Sequence, residues 1–220
     1  FLLGITFDVN GGVYGCDIDS HLLVRVELAT GQREVRSRGT PEHPLVNPNK
    51  GVFLHDGTML LTSSGHWHAD DGAVFAITPD GHTTLWSTDS CAFPNGACLD
   101  VDGRSLLIAE STLPGVSRIH INREVVARIP GSVPDGVGVD VDGTIYVCCY
   151  RPDRIYTVRR DGRVEILADD PEGTLLAAPT NCTWAGSDRE LFICANFGRW
   201  HLTAGVVGPP GNPPLYPQLP

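Results

Sequence analysis

The chain has 220 residues, 16 of them basic and 26 acidic, for a net charge of −10; it has no basic run that could track a phosphate backbone, which argues against a nucleic-acid partner. Hydrophobic residues reach 41%, enough for a substantial core, while 25 glycines and 17 prolines point to many short strands joined by tight turns. No apolar stretch approaches the ~18 residues of a membrane span, and seven cysteines without a CxxC pair read as buried thiols of a cytoplasmic protein.

Gly4 to Ile18 (GITFDVNGGVYGCDI) predicts two alternating apolar strands around Asn10-Gly11. Asx-Gly between such runs is a strong hairpin signal, because both central residues tolerate positive φ. Leu22 to Val35 predicts a second hairpin. The pattern then returns. Gly51 to Ser64 turns at Asp56-Gly57, and Ala73 to Trp86 follows as its second hairpin. Gly96 to Glu110 turns at Asp102-Gly103, followed by Ser117 to Ile129 with a different turn. Gly136 to Tyr150 turns at Asp142-Gly143, followed by Arg154 to Leu167. Asn181 to Phe197 is a fifth copy with the looser turn Gly186-Ser187-Asp188.

The turn glycines 11, 57, 103 and 143 are separated by steps of 46, 46 and 40 residues. Two hairpins in each ~40–50-residue unit make a four-stranded propeller blade. The prediction is therefore an all-β, single-domain β-propeller over residues 1–220, with five blades visible. Propellers of this blade length have six or seven blades, so one further blade is expected, degenerate or lying before Phe1. The Pro-rich tail 208–220 (GPPGNPPLYPQLP) is expected to wrap the outside or to be partly loose.

In a propeller the first strand of each blade lines a central channel, so residues at the strand mouths converge. Those mouths read Pro48-Asn49-Lys50-Gly51, Pro94-Asn95-Gly96, Pro134-Asp135-Gly136 and Pro179-Thr180-Asn181. A single Pro-Asx-Gly is an ordinary turn. Four in register would gather oxygen ligands for a hard cation such as Ca²⁺, which takes ~6–8 of them.

The stretches Pro48 to Gly65, Ala92 to Thr112 (AFPNGACLDVDGRSLLIAEST) and Pro134 to Val147 (PDGVGVDVDGTIYV) resemble the senescence-marker-protein/gluconolactonase family, which includes regucalcin and bacterial lactonases. With the repeat, the likeness covers nearly the whole chain. The resemblance implies a six-bladed propeller holding one divalent cation, usually Ca²⁺; Mg²⁺, Mn²⁺ and Zn²⁺ also suit oxygen donors. It implies Asn95 and Asp135 as ligands beside a first-blade Glu, with Asn49 near the metal or substrate and Asn181 in the matching position of the last blade. The chain departs from the family twice. The Glu has no counterpart, and the usual Asn-Asp pair is Asn49-Lys50 here, where Lys50 weakens cation binding if it points inward, or else faces out or meets an anionic substrate.

The implied activity is metal-dependent hydrolysis of lactones such as sugar lactones, with Asp135 as ligand and general base. Substrate contacts are expected from Asn49, Lys50, Asn181, Glu110 and the loop His66-Trp67-His68, with Arg151, Phe197 and Trp200 as further candidates. His66-x-His68 alone falls short of a zinc site, since no third ligand is near in sequence. There is no GxSxG elbow to support a serine hydrolase. Two alternatives stand beside the lactonase: a non-catalytic propeller binding a ligand or partner protein, and a related propeller enzyme acting on phosphotriesters or other esters, or as a lyase.

Overall fold

The computed structural model describes residues 1–218, and these are all-β. The first sheet holds β1 (Leu2–Phe7), β2 (Gly12–Asp17), β3 (Leu22–Glu27) and β4 (Arg33–Ser37). The second holds β5 (Pro48–Phe53), β6 (Met59–Ser63), β7 (Ala73–Ile77) and β8 (Thr83–Ser87). The third holds β9 (Pro94–Leu99), β10 (Leu106–Glu110), β11 (Gly115–Ile119) and β12 (Arg123–Arg128). The fourth holds β13 (Val133–Val139), β14 (Ile145–Arg151), β15 (Arg154–Val158) and β16 (Val164–Asp169). The fifth holds β17 (Pro179–Ala185), β18 (Leu191–Asn196) and β19 (Leu202–Gly205). Each sheet is an antiparallel meander in sequence order, the blade type predicted from the repeat.

The chain forms two compact units. The first is Phe1–Asn95 with the tail from Pro214, and the second is Gly96–Pro213. In the first unit the core is Tyr14, Leu23, Leu45, Phe53, Leu61 and Phe75, with Leu215 of the tail against it. In the second, one cluster centres on Leu107, Val116, Val137, Val147 and Val158, and another on Tyr146, Cys148, Ile155, Phe192 and Cys194. No helix among the described residues is long and apolar enough to cross a membrane.

Turns form at all four Asx-Gly pairs, with Gly11, Gly57, Gly103 and Gly143 at φ of 88°, 84°, 67° and 80°, while the Asx residues before them do not share the positive φ. A buried aspartate supports three of them. Asp8 Oδ1 accepts from the N–H of Asn10 and of Gly12, both at 2.9 Å, and Arg25 Nε donates to its Oδ2 at 3.0 Å. Asp100 accepts from Val101 N–H at 2.7 Å and from Arg118 Nε at 2.7 Å. Asp140 accepts from the N–H of Asp142 and Thr144 at 3.0 and 2.9 Å and from the Tyr146 hydroxyl at 3.1 Å. In Asp8 and Asp140 one oxygen closes the turn, in Asp100 it takes the next N–H, and in all three the other oxygen is held by a side chain.

The fifth sheet departs from the expected four strands: three are present among the described residues. Prolines 209, 210 and 213 cannot donate to a strand ladder. The segment instead bonds back within the second unit, through Val141 N–H to Pro210 O at 2.9 Å, Gly211 N–H to Arg189 O at 3.0 Å and Asn212 N–H to Val139 O at 2.9 Å. In the first unit Val9 N–H donates to Pro217 O at 3.4 Å. The tail is thus held through residue 217, while residues 219 and 220 lie outside the described range.

Asp140→Ala removes three hydrogen bonds and leaves the Tyr146 hydroxyl buried without that partner. It is expected to cost about 2–3 kcal/mol, a fall in melting midpoint of roughly 4–12 °C for a chain of this size. Exposed Asp56, which accepts from Thr58 N–H at 2.9 Å, is the control: Asp56→Ala should stay within about 1 kcal/mol. Equal midpoints for the two variants, by differential scanning calorimetry, would remove the aspartate from its role at the turn.

Candidate functional site

The predicted mouth residues lie inside the first strands, at a recurring irregularity in their pairing. Pro48 pairs with Ser63 and Lys50 with Thr62, so Asn49 is an extra residue. Pro134 pairs with Cys149 and Val137 with Val147, so Asp135 and Gly136 share one partner position. Pro179 pairs with Asn196 and Asn181 with Ala195, so Thr180 is extra. A β-bulge leaves its extra residue out of the ladder and re-aims its side chain. The register also corrects one expectation. In the last sheet Thr180 occupies the bulge position of Asn49 and Asp135, and Asn181 lies one residue past it. Asn181 Oδ1 accepts from the N–H of Cys182 at 2.9 Å.

A glycine of the preceding sheet lies against each of these bulges. A Cβ on Gly4 would collide with Asn49 O and lie 3.1 Å from Lys50 Cα. On Gly96 it would lie 2.6 Å from Asp135 O and 2.7 Å from Gly136 Cα, and on Gly136 2.5 Å from both Thr180 O and Asn181 Cα. The same contact therefore occurs three times, once in the first unit and twice in the second.

In the first unit Ser64 ties two mouths together: its hydroxyl donates to Pro94 O at 2.9 Å and lies 3.4 Å from Asn49 Nδ2. Thr62 Oγ1 accepts from Lys50 N–H at 3.0 Å and donates to Asn95 O at 2.8 Å. In the second unit the Ser111 hydroxyl donates to Pro134 O at 2.6 Å. Ser64 and Ser111 each follow the second strand of their sheet and grip the proline before a candidate ligand. Nothing in the local sequence around Ser64 or Ser111 marks this role. The available signal is a hydroxyl recurring in one register of successive copies. Asn47, Phe93 and Ala178, each just before a mouth proline, have φ of 52°, 54° and 53°. A non-glycine residue there is strained, most of all a bulky Phe.

Asp135 is only partly exposed, and burial pushes its carboxyl pKa up to about 7. No cationic side chain pairs with it among the described residues. Asn95 is buried at 8% exposure. The Lys50 ammonium is turned to the backbone, donating to Ile5 O at 3.0 Å. Glu110 is 1% exposed and bound by Arg123, with Nη2 at 2.6 Å and Nε at 3.0 Å, and by the Ser117 hydroxyl. It thus sits in a buried ion pair.

The loop after β6 is anchored from both sides. His66 Nδ1 and N–H each lie 2.7 Å from the Asp71 carboxylate, and Trp67 meets the Phe93 ring edge-on at 4.8 Å. The hydrogen bond from His66 holds the Asp71 carboxyl below its ordinary range. Trp67 remains 50% exposed beside the strand that carries Asn95. In the second unit Arg151 stacks on Tyr150 at 4.9 Å, and Tyr150 meets Phe197 at 6.1 Å.

No three His, Cys, Asp or Glu side chains stand together as metal ligands among the described residues. A cation beside Asp135 would therefore rely on oxygens other than carboxylates around that one carboxylate. Asp135 fits such a role, since burial disfavours its charge and no cationic side chain among the described residues offsets it.

The sequence profile of the SMP-30/Gluconolactonase/LRE-like region matches residues 2–196. Lactonase drp35 of Staphylococcus haemolyticus is 24% identical, over 89% of this chain and 78% of its own length. The Staphylococcus aureus lactonase drp35 is 25% identical over 63% of this chain, and the match spans only 49% of that protein. A gluconolactonase structure from Xanthomonas campestris superposes with a TM-score of 0.74 at 18% identity, over 89% of this chain and 69% of that one.

Gly136→Ala forces a methyl group into the backbone of Thr180 and Asn181. It is expected to cost roughly 2–4 kcal/mol in urea unfolding. Gly186, at φ 88° with nothing within 4 Å of a Cβ, separates conformational strain from collision: Gly186→Ala should cost only about 1–2 kcal/mol. Indistinguishable unfolding midpoints would show that the close approach constrains nothing.

Proposed function

Because the chain belongs to the SMP-30/gluconolactonase/LRE-like family, we propose that it is a lactonase-like carboxylic ester hydrolase acting on small lactones, sugar lactones among them, with a divalent cation, Ca²⁺ first, as cofactor. The observation that carries this reading is the repeated Pro-Asx bulge, which lifts Asn49 and Asp135 out of their ladders and presents in Asp135 a carboxylate that no cationic side chain among the described residues offsets. A six-bladed ring, of which five sheets lie among the described residues, belongs to the same reading.

Asp135 would hold the cation, and in the first unit the amide oxygens of Asn49 and Asn95 are donors of the same kind. When bound, the cation supplies Lewis-acid polarisation of the lactone carbonyl and stabilises the oxyanion. Asp135 would also orient the attacking water and accept its proton. Ser64, Thr62 and Ser111 act as positioning residues, fixing the backbone on which Asn95 and Asp135 stand. Trp67 and Phe93 offer an aromatic wall beside Asn95 for the organic part of a substrate.

Lys50 supports a second reading, a propeller that binds without catalysis, since it stands where the family carries an acidic residue. The same fold stands in a protein complex: a chain of a nidogen/laminin complex superposes with a TM-score of 0.76 at 20% identity, over 94% of this chain and 76% of that one.

The test is pH-stat titration of acid release from a lactone panel, after EDTA and again after adding back Ca²⁺, Mg²⁺, Mn²⁺ or Zn²⁺. Release should stop with EDTA and return most fully with Ca²⁺. Asp135→Ala should lose at least about 100-fold in kcat/KM with an unchanged circular dichroism spectrum. Full turnover by Asp135→Ala would remove that residue from the chemistry, and no release under any condition would favour the binding reading.

A further inference from the structure

Three of the seven cysteines, Cys148, Cys182 and Cys194, meet in the second unit, and none serves the proposed hydrolysis. Cys148 stands in the middle of β14, Cys182 on β17 and Cys194 on β18. Cys182 and Cys194 are register partners, so their side chains leave one face of the sheet side by side. That face is turned to the fourth sheet. A Cβ on Gly138 would lie 3.0 Å from Cys182 Sγ. Cys148 Sγ lies 3.9 Å from Cys194 Sγ, and the Cys182 thiol is near enough to raise the Cys148 pKa. Cys148 is thus the sulfur that neighbours both others.

The three differ in access to water. Cys148 and Cys194 are 0% and 1% exposed, whereas Cys182 is half-buried. Hydrogen bonds with Cys182 and then Cys194, with burial added, push the Cys148 thiol well above its ordinary pKa, so it stays protonated while reduced. Three small apolar side chains filling a core would account for the buried pair. They would not by themselves account for a third thiol, on a partly exposed residue, beside that pair.

We propose that Cys148, Cys182 and Cys194 form a site of reversible oxidation by a soluble disulfide of the glutathione type, in which Cys182 admits the oxidant and Cys148 closes an intramolecular disulfide between the fourth and fifth sheets. Cys182 Sγ gives up its proton and attacks one sulfur of the oxidant. The oxidant's S–S bond breaks, and the first thiol leaves with that proton. Cys148 Sγ then attacks the Cys182 sulfur, and the second thiol leaves with the Cys148 proton. Two protein thiols are oxidised, and one disulfide is reduced to two thiols. The second attack is on a neighbouring sulfur, so Cys148 needs no access to solvent. Cys194 can then take over the bond to Cys148 by exchange, with no further change of redox state.

The test uses the whole reduced protein with oxidised glutathione, thiol counting under denaturing conditions and a non-reducing peptide map. The seven thiols should fall to five, with a disulfide that contains Cys148, joined to Cys182 or Cys194, and dithiothreitol should restore all seven. Cys182→Ser should slow the loss by about tenfold or more, because the accessible thiol is gone. Cys148→Ser should stop at one glutathione adduct on Cys182. If either serine variant fails to fold, the wild-type peptide map decides alone. Seven persisting thiols, a lasting wild-type adduct on Cys182, or a disulfide without Cys148 would each overturn the proposal.

Discussion

The close approach of a glycine in one first strand to the bulge of the next is the constraint on which the rest of the structure depends. Gly4 lies on the Asn49–Lys50 backbone, Gly96 on Asp135–Gly136, and Gly136 on Thr180–Asn181. At each place an added Cβ would meet main chain, which cannot rotate out of the way. Glycine is needed here for proximity more than for its torsions, since none of the three has a positive φ. The same contact fixes where each bulge sits, and therefore where Asn49, Asp135 and Thr180 stand.

Lys50 tests that logic. Gly4, Gly96 and Gly136 stand in one register ahead of turn glycines 11, 103 and 143, and Lys50 holds that register ahead of Gly57. A side chain there forbids the bare contact, and the structure replaces it with a hydroxyl. Thr62 accepts from the Lys50 N–H and donates to Asn95 O. Where glycine is lost, one buried oxygen connects the two strands. The Lys50 side chain extends to the Ile5 carbonyl. It therefore contributes to structure whatever its effect on a bound cation.

The repeat, the strand pairs and the turns were legible because they are local. Period-two alternation and Asx-Gly turns are set by neighbours in sequence, and the hairpins lie where those signals stand. The third partner of each turn was not legible. Asp8, Asp100 and Asp140 look like turn residues, but what secures them is Arg25 and Arg118, reached only when the third strand folds back, and Tyr146 across the hairpin. The bulges were hidden for a similar reason, since a Pro-Asx pair does not say which residue drops out of the ladder. Thr180 and Asn181 were indistinguishable until pairing with Asn196 and Ala195 fixed the count. The missing fourth strand of the last sheet was foreshadowed by prolines 209, 210 and 213, though where the tail goes instead depends on carbonyl and amide groups far away in sequence.

The two ends of the blades divide the labour accordingly. At the turn end, buried aspartates are fully engaged by backbone and side-chain donors, so their charge is spent on structure. At the mouth end, the side chains lifted by the bulges are one amide, one hydroxyl and one carboxylate, and strain gathers at Asn47, Phe93 and Ala178, just before three of the mouth prolines. Asp135 carries the only formal charge among them, held where burial opposes it. A turn aspartate repays its burial through the hydrogen bonds it accepts, whereas Asp135 has no cationic partner among the described residues. Its placement is therefore poorly explained by stability alone, which is why the carboxylate at this mouth, more than any loop residue, anchors the functional reading.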